Sequence, residues 1–273
     1  MGEFFDAQEG GPLRLELRSI DGRDFTLLRQ IGFRSDHYAE CFVVPADLRR
    51  FMTDLASVPA LFTWLVPKSG DFLPAAVLHD ALVRPGAFLG PDTDRDGQPF
   101  ARPEADRIFR EAMIGLGTGR VRAWLMWSAV SMSTMWHSGK AWTRAVLIGL
   151  LGTVTVLGVL ATLDFFNVID LVPWMGGQDT PWWQKLLGGA VGAVVIPAVL
   201  GASWGRLWRA GVITGVALAF LLHVTVVLAL LVGAYRVVER IVSGPANHEG
   251  VRVEDKARAE QRVRLDRVPA DEE

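Results

Sequence analysis

Ala145–Leu163 reads AVLIGLLGTVTVLGVLATL, nineteen residues without a charged side chain. Two further stretches share this character, Leu186–Gly205 and Ala210–Tyr235. A helix needs roughly 20 apolar residues to cross a ~30 Å hydrocarbon core. Water is absent there, so an apolar run satisfies its backbone as a helix. Three such runs so close together, with little charge between them, point to a membrane rather than to buried helices of a water-soluble core. The sequence predicts helices at 145–163, 186–205 and 210–235 within a membrane region spanning 143–240.

The flanks fit this reading. Trp142, Trp174, Trp182, Trp183, Trp204 and Trp208 sit at run ends or between runs. Tryptophan favours the membrane–water boundary, where its ring is apolar and its N–H stays wet. Gly188/Gly192 and Gly211/Gly215 place small residues on one helix face, a spacing that lets helices approach closely. A homo-oligomer built on those faces is the corresponding expectation. Pro197 falls within the second run, which holds five glycines, so a kinked or re-entrant segment is an alternative to a full crossing. His223 lies near the centre of the third run. A polar ring at that depth is either packed between helices or functional.

Orientation follows basic residues beside the spans. Arg120, Arg122, Lys140 and Arg144 precede the first run and place the N-terminal part in the cytoplasm. Asp164–Gln184 has three aspartates and no basic residue, so it reads as external. Arg206 and Arg209 read as internal. Three crossings would then carry the tail outside, against its own arginines from Arg236 to Arg267. Two crossings and a re-entrant segment would return it to the cytoplasm, and the choice between two and three stays open.

Ahead of the membrane region, 1–142 has the composition of a water-soluble domain. Leu13–Ile20 alternates apolar and polar residues, the period of a strand. Asp21-Gly22 suits a hairpin turn, and Phe25–Ile31 is the expected return strand. Cys41–Pro45 is a third short candidate. The pattern then turns helical from Val58 onward. Leu73–Val83 is one helix. Glu104–Leu116 is another, with Pro103 suited to its first turn. Val121–Trp136 is a Trp- and Met-rich helix leading into the membrane, fit to lie at its surface. The expected fold is α+β, a β-hairpin and short strands followed by three to four helices, joined to an α-helical transmembrane bundle. The tail at 241–273 mixes both charges with few apolar residues and reads as disordered.

The bulk numbers exclude some functions. The net charge is −2, which offers no basic face for nucleic acid. The single cysteine, Cys41, forms no internal disulfide and is compatible with a reducing compartment. Met1–Asp6 lacks the basic and apolar segments of a signal peptide.

Several blocks stand out in order: Thr53-Asp54-Leu55-Ala56-Ser57-Val58-Pro59; Ala75-Ala76-Val77-Leu78-His79-Asp80; Ala105-Asp106 with Phe109, Ala112 and Met113; and Trp124–Trp136 followed by Gly139 and Trp142. Together these blocks, over about residues 10–142, resemble the phage-associated family called domain of unknown function 1353. That resemblance implies a short protein of bacteriophages or prophages and leaves the chemistry open, since the family has no established activity. There are two departures. Ala81 stands where the family often has an aromatic residue, and a long membrane region is unusual for it.

The polar residues of these blocks invite a chemical reading. His79 and Asp80 on one helix, with Asp106 or Asp54, are types that could hold a divalent metal and activate water for hydrolysis. Further histidines for such a site are not evident. Asp92, Asp94 and Asp96 open like a calcium loop, but Pro103 stands where the closing glutamate belongs. A structural account competes. Ser57 before Pro59 can cap a helix, Thr53 and Asp54 can close the preceding turn, and His79 and Asp80 can join Arg49, Arg50 or Asp54 in an ion-pair network. Ser57 as a nucleophile lacks the glycine-flanked elbow. The sequence thus supports a membrane protein whose cytoplasmic domain is a binding or structural module, with a membrane-tethered, metal-dependent hydrolase as the alternative.

Overall fold

A computed structural model describes residues 2–20, 24–54, 70–137 and 140–244. Ser57, Pro59, the Asp21-Gly22 turn and the tail beyond residue 244 lie outside the described residues. The chain divides into two compact units between Ala123 and Trp124.

The first unit opens with two small antiparallel sheets. One contains β1 (Glu3–Asp6), β4 (Ile31–Arg34) and β5 (Phe42–Val44) in the order β1-β4-β5. The other contains β2 (Leu17–Ser19), β3 (Phe25–Leu27) and β6 (Met52–Thr53) in the order β2-β3-β6. The expected hairpin is present, with Leu17 opposite Leu27 and Ser19 opposite Phe25. The run expected as one strand, Phe25–Ile31, instead contributes to both sheets, because the chain bends between Leu27 and Ile31. Arg29 fixes that bend: it reaches Asp6 at 2.5 Å, Glu9 at 3.1 Å and Glu16 at 3.4 Å. Beside the bend, Gly32 packs under the Phe5 ring, where any added Cβ would lie 2.2 Å from a ring carbon.

Two helices complete this unit. α1 (Leu73–Leu82) has Pro74 in its first turn and is buried on most sides. Its polar pair, His79 and Asp80, marks the strip that is not. α2 (Arg102–Gly115) begins with Pro103 and buries Ala105, Ile108, Phe109, Ala112 and Met113 on one stripe, as amphipathic spacing requires. Gly115 allows the start of the chain to lie against α2, since a Cβ there would sit 2.3 Å from the Gly2 carbonyl oxygen. The fully buried Phe33, Phe42, Leu27, Ile31, Leu78 and Ile108 make up much of the core.

The second unit is helical. α3 (Arg120–His137) enters it from Trp124 onward, and α4 (Ala141–Phe165), α5 (Trp182–Ala202) and α6 (Trp208–Ser243) follow. The division between these compact units falls inside α3. The reason is packing: Trp127 and Met135 of α3 share a core with Leu147, Leu150, Val154 and Trp204. α4, α5 and α6 contain 25, 21 and 36 residues. At 1.5 Å per residue these are about 37, 31 and 54 Å long, so all three are long and apolar enough to cross a membrane. α5 runs without interruption through Pro197. α6 continues through Arg236 to Ser243, so helix occupies the start of the segment expected to be disordered.

The small-residue faces are filled from within the chain. A Cβ at Gly188 would meet the Trp174 carbonyl oxygen at 2.3 Å, and one at Gly192 the Trp174 indole nitrogen at 2.6 Å. A Cβ at Gly201 would meet the Val212 backbone nitrogen at 2.4 Å, and one at Gly215 the Pro197 Cβ at 2.7 Å. The glycine spacing is thus used for contacts inside one bundle and carries no argument for a second copy.

One ion pair is buried here. Lys185 is 1% exposed and Asp164 0%. Lys185 Nζ donates to Asn167 Oδ1 at 2.8 Å and to the Asp164 carbonyl at 3.2 Å, with Asp164 Oδ1 at 3.4 Å. Asp164 Oδ2 accepts the backbone N–H groups of Leu171 and Val172 at 3.0 and 2.9 Å. Asn167 sits at a φ of 56°, a left-handed conformation that asparagine tolerates. The sequence showed Asp164 only as the start of an acidic loop, Asp164–Gln184, and did not link it to Lys185.

Candidate functional site

Parts of three blocks, at Thr53–Asp54, His79–Asp80 and Asp106, meet around the second half of α1. His79, 18% exposed, brings Nε2 to 2.7 Å from Oδ1 of Asp106, which is 1% exposed. The two residues come from α1 and α2, which pack against each other, and the imidazole lies against the Phe109 ring at a centroid distance of 5.0 Å. A buried carboxylate on one imidazole nitrogen fixes the ring orientation.

Asp80 faces the other way, toward β6. Arg84, one turn later, donates to Asp80 Oδ1 at 2.8 Å. The same guanidinium hydrogen-bonds the Met52 carbonyl and lies 5.4 Å over the Phe51 ring. Burial pushes the Asp80 carboxyl above its ordinary range. Arg84 and the Thr53 hydroxyl pull against that rise, while the neighbouring charge of Asp54 adds to it. Thr53, Asp54, His79, Asp80 and Asp106 thus belong to one neighbourhood, as the order of the blocks suggested.

The partners differ from those expected. The arginine of the network is Arg84, placed by helical spacing one turn from Asp80. Arg50 pairs with Asp47 at 3.6 Å, and the Arg49 backbone N–H donates to Asp47 Oδ1 at 2.8 Å. Among the described residues no three histidine, cysteine, aspartate or glutamate side chains gather as a metal-binding group. This applies to His79, Asp80 and Asp106, whose groups point to different partners. It applies equally to Asp92, Asp94 and Asp96. Asp94 Oδ1 there accepts the N–H groups of Asp96 and Gln98 at 2.9 and 2.8 Å. The carboxylate that would ligand calcium closes a turn instead.

A second polar cluster escaped the sequence reading. Glu104 Oε1 accepts the Tyr38 hydroxyl at 2.6 Å and Arg107 at 2.7 and 2.9 Å, with Arg95 at 3.2 Å. Arg107 also reaches Glu111 at 3.1 Å, and Glu111 accepts the Ser35 hydroxyl at 2.8 Å. Burial would raise the Glu104 carboxyl, but Arg107 and Tyr38 outweigh it and hold the group below its ordinary range. Burial, with Glu104 alongside, pushes the Tyr38 hydroxyl up. The Glu104, Arg107, Glu111 spacing of three and four was a visible signal on α2. The link to Tyr38 was not.

The fold and this neighbourhood define a class: a small α+β domain braced by the His79–Asp106 pair between α1 and α2 and by the Arg84–Met52 hydrogen bond from α1 to β6, followed by apolar helices of membrane-crossing length. Residues 25–130 match the family described as "Protein of unknown function (DUF1353)". The N-terminal domain therefore carries the pattern that its signature blocks indicated, and the long apolar helices follow it. No curated protein and no solved structure matches the chain.

Proposed function

We propose that this is a multi-pass membrane protein of phage or prophage origin whose N-terminal domain is a binding module on the cytoplasmic side. The observation that carries the module reading is the pairing of the signature residues across neighbouring elements. His79 is committed to Asp106, and Asp80 to Arg84, which also holds β6. Such residues brace α1 against α2 and β6, and conserve the shape of a surface rather than a reaction. The resemblance of the signature blocks supports the origin. The uninterrupted α5 supports three crossings, and the arginines before α4 support the cytoplasmic side.

Two measurements test this. In the full chain, a membrane-impermeant maleimide should label the sole cysteine, Cys41, only after the cells are permeabilised. Labelling of intact spheroplasts would place the domain outside. Metal content of the detergent-purified protein should be the same in wild type and in His79→Gln/Asp80→Asn. A stoichiometric metal lost in the double variant would install the hydrolase instead. That second reading draws on one feature, the imidazole oriented by a buried carboxylate and still partly open to solvent.

A further inference from the structure

α4, α5 and α6 enclose a cavity of about 370 Å³. Small residues create it: Gly158 and Ala161 on α4, and Gly189, Ala190 and Ala193 on α5. Its polar groups gather toward one end. Thr162 stands three residues before Phe165, the end of α4. The Thr162 hydroxyl donates to the Gly158 carbonyl at 2.7 Å and therefore accepts from His223 Nε2, 2.5 Å away. Trp174 enters from the α4–α5 connection, and Lys185 from the first turn of α5. The Lys185 charge is already met by Asp164 and Asn167, so this end is polar without a spare cation.

The other end is hydrocarbon. Val154 lies eleven residues before Phe165 on α4, about 16 Å along the axis. Pro197 lies twelve residues beyond Lys185 on the antiparallel α5, about 18 Å. The two depths agree, so the cavity runs along the helices from a polar rim to an apolar floor. A space walled by hydrocarbon does not hold water, and helices of this kind are surrounded by lipid.

We propose that the cavity is a site for one acyl chain of a bilayer phospholipid. The ester end lies at the rim beside Thr162 and His223, and the methyl end points to Val154 and Pro197. This rests on the bilayer placement proposed above. The polarity gradient matches an amphiphile, and the surrounding bilayer supplies it as phospholipid.

The test uses the full chain in vesicles of phosphatidylcholine carrying a diazirine midway along one acyl chain. After irradiation, adducts are mapped by peptide mass spectrometry. Adducts on Leu157, Ala161 and Ala193 are expected, together with adducts on the exposed Val156, Val159, Val195 and Val199. Adducts confined to those four valines overturn the site and leave the bilayer reading standing. Absence of adducts anywhere on α4–α6 overturns both. Cavity adducts obtained with a diazirine fatty acid but not with the phospholipid overturn the choice of occupant. Ala193→Phe should lose the cavity adducts and keep the outer ones. Retention of both sets would overturn the assignment without requiring any variant to fail in folding.

Discussion

His79 and Asp106, twenty-seven residues apart in the chain, meet at 2.7 Å where α1 crosses α2. The carboxylate is buried and the imidazole is only partly covered. This one bond joins two of the family's blocks, and its removal is the most direct probe of what those blocks do. His79→Ala should lower the unfolding free energy by ~1.5–3 kcal/mol, the range for a hydrogen bond to a charged group. His79→Gln should recover part of it, because an amide can still donate to Asp106. Thermal unfolding of the purified chain reads both. An unchanged midpoint in His79→Ala would count against the bracing role.

Asp80 and Glu104 make opposite predictions for pH. Burial, opposed by Arg84 and Thr53, leaves the folded-state pKa of Asp80 above its unfolded value. Between those two values the folded chain holds more protons than the unfolded one. The Asp80 contribution therefore declines as pH rises through that window. Glu104 is held below its ordinary range in spite of burial, chiefly by Arg107 and Tyr38. Its contribution is complete above the unfolded value and is lost as pH falls through the folded one. Asp80→Asn should flatten the first slope, and Glu104→Gln the second. Urea titrations across acidic pH would reveal either failure as an unchanged slope.

The Asp164–Lys185 pair should behave as a buried pair. Lys185→Met leaves a carboxylate enclosed without its cation, at a cost of ~3–5 kcal/mol. Asp164→Asn should be milder than Asp164→Ala, since an amide oxygen still accepts from Leu171 and Val172. Guanidinium-free thermal scans in mild detergent, followed by tryptophan emission, give the order. Equal effects of Asn and Ala would remove the backbone contacts from the account.

Glycines in the membrane helices should divide by what they touch. Gly201→Ala forces a Cβ against the backbone of Val212 and Gly211, and overpacking of that kind costs ~1–3 kcal/mol. Gly149 and Gly152 have nothing within 4 Å, so alanine there should be tolerated. Leucine at Gly188 and Gly192 should destabilise the chain itself, because Trp174 occupies that face. Light scattering in detergent separates this outcome from a change in self-association.

Much of this was legible locally. α1, α2 and α4–α6 announce themselves by periodicity, proline placement and sustained apolarity. Their starts lie at or before the expected residues, while the ends of α1, α2 and α5 fall one to three residues short and those of α4 and α6 run two and eight beyond, because capping and fraying are set by backbone bonds that composition does not display. β1, β4 and β6 were not legible. Each has four residues or fewer and is defined by partners far along the chain. Phe25–Ile31 looked like a single strand because the bend at Arg29 is held by Asp6, Glu9 and Glu16, which lie outside it. At the site, His79, Asp80, Asp106, Thr53 and Asp54 were visible as residue types. Arg84 was passed over in favour of Arg49 and Arg50, although it sits one helical turn from Asp80. Tyr38 reaches Glu104 across sixty-six residues, a pairing that only the folded chain brings about.

The Asp164–Lys185 pair also has a history in time. Twenty-one residues separate the two, and at roughly 5–20 residues per second a ribosome needs on the order of seconds to make them. Throughout that interval the end of α4 carries an acid whose cation has not yet been synthesised. α4 is thus electrically complete only when the beginning of α5 has emerged. On the bilayer placement proposed above, α4 and α5 are a single unit of delivery, a hairpin that inserts together, and a break in translation between them would strand α4 half-finished.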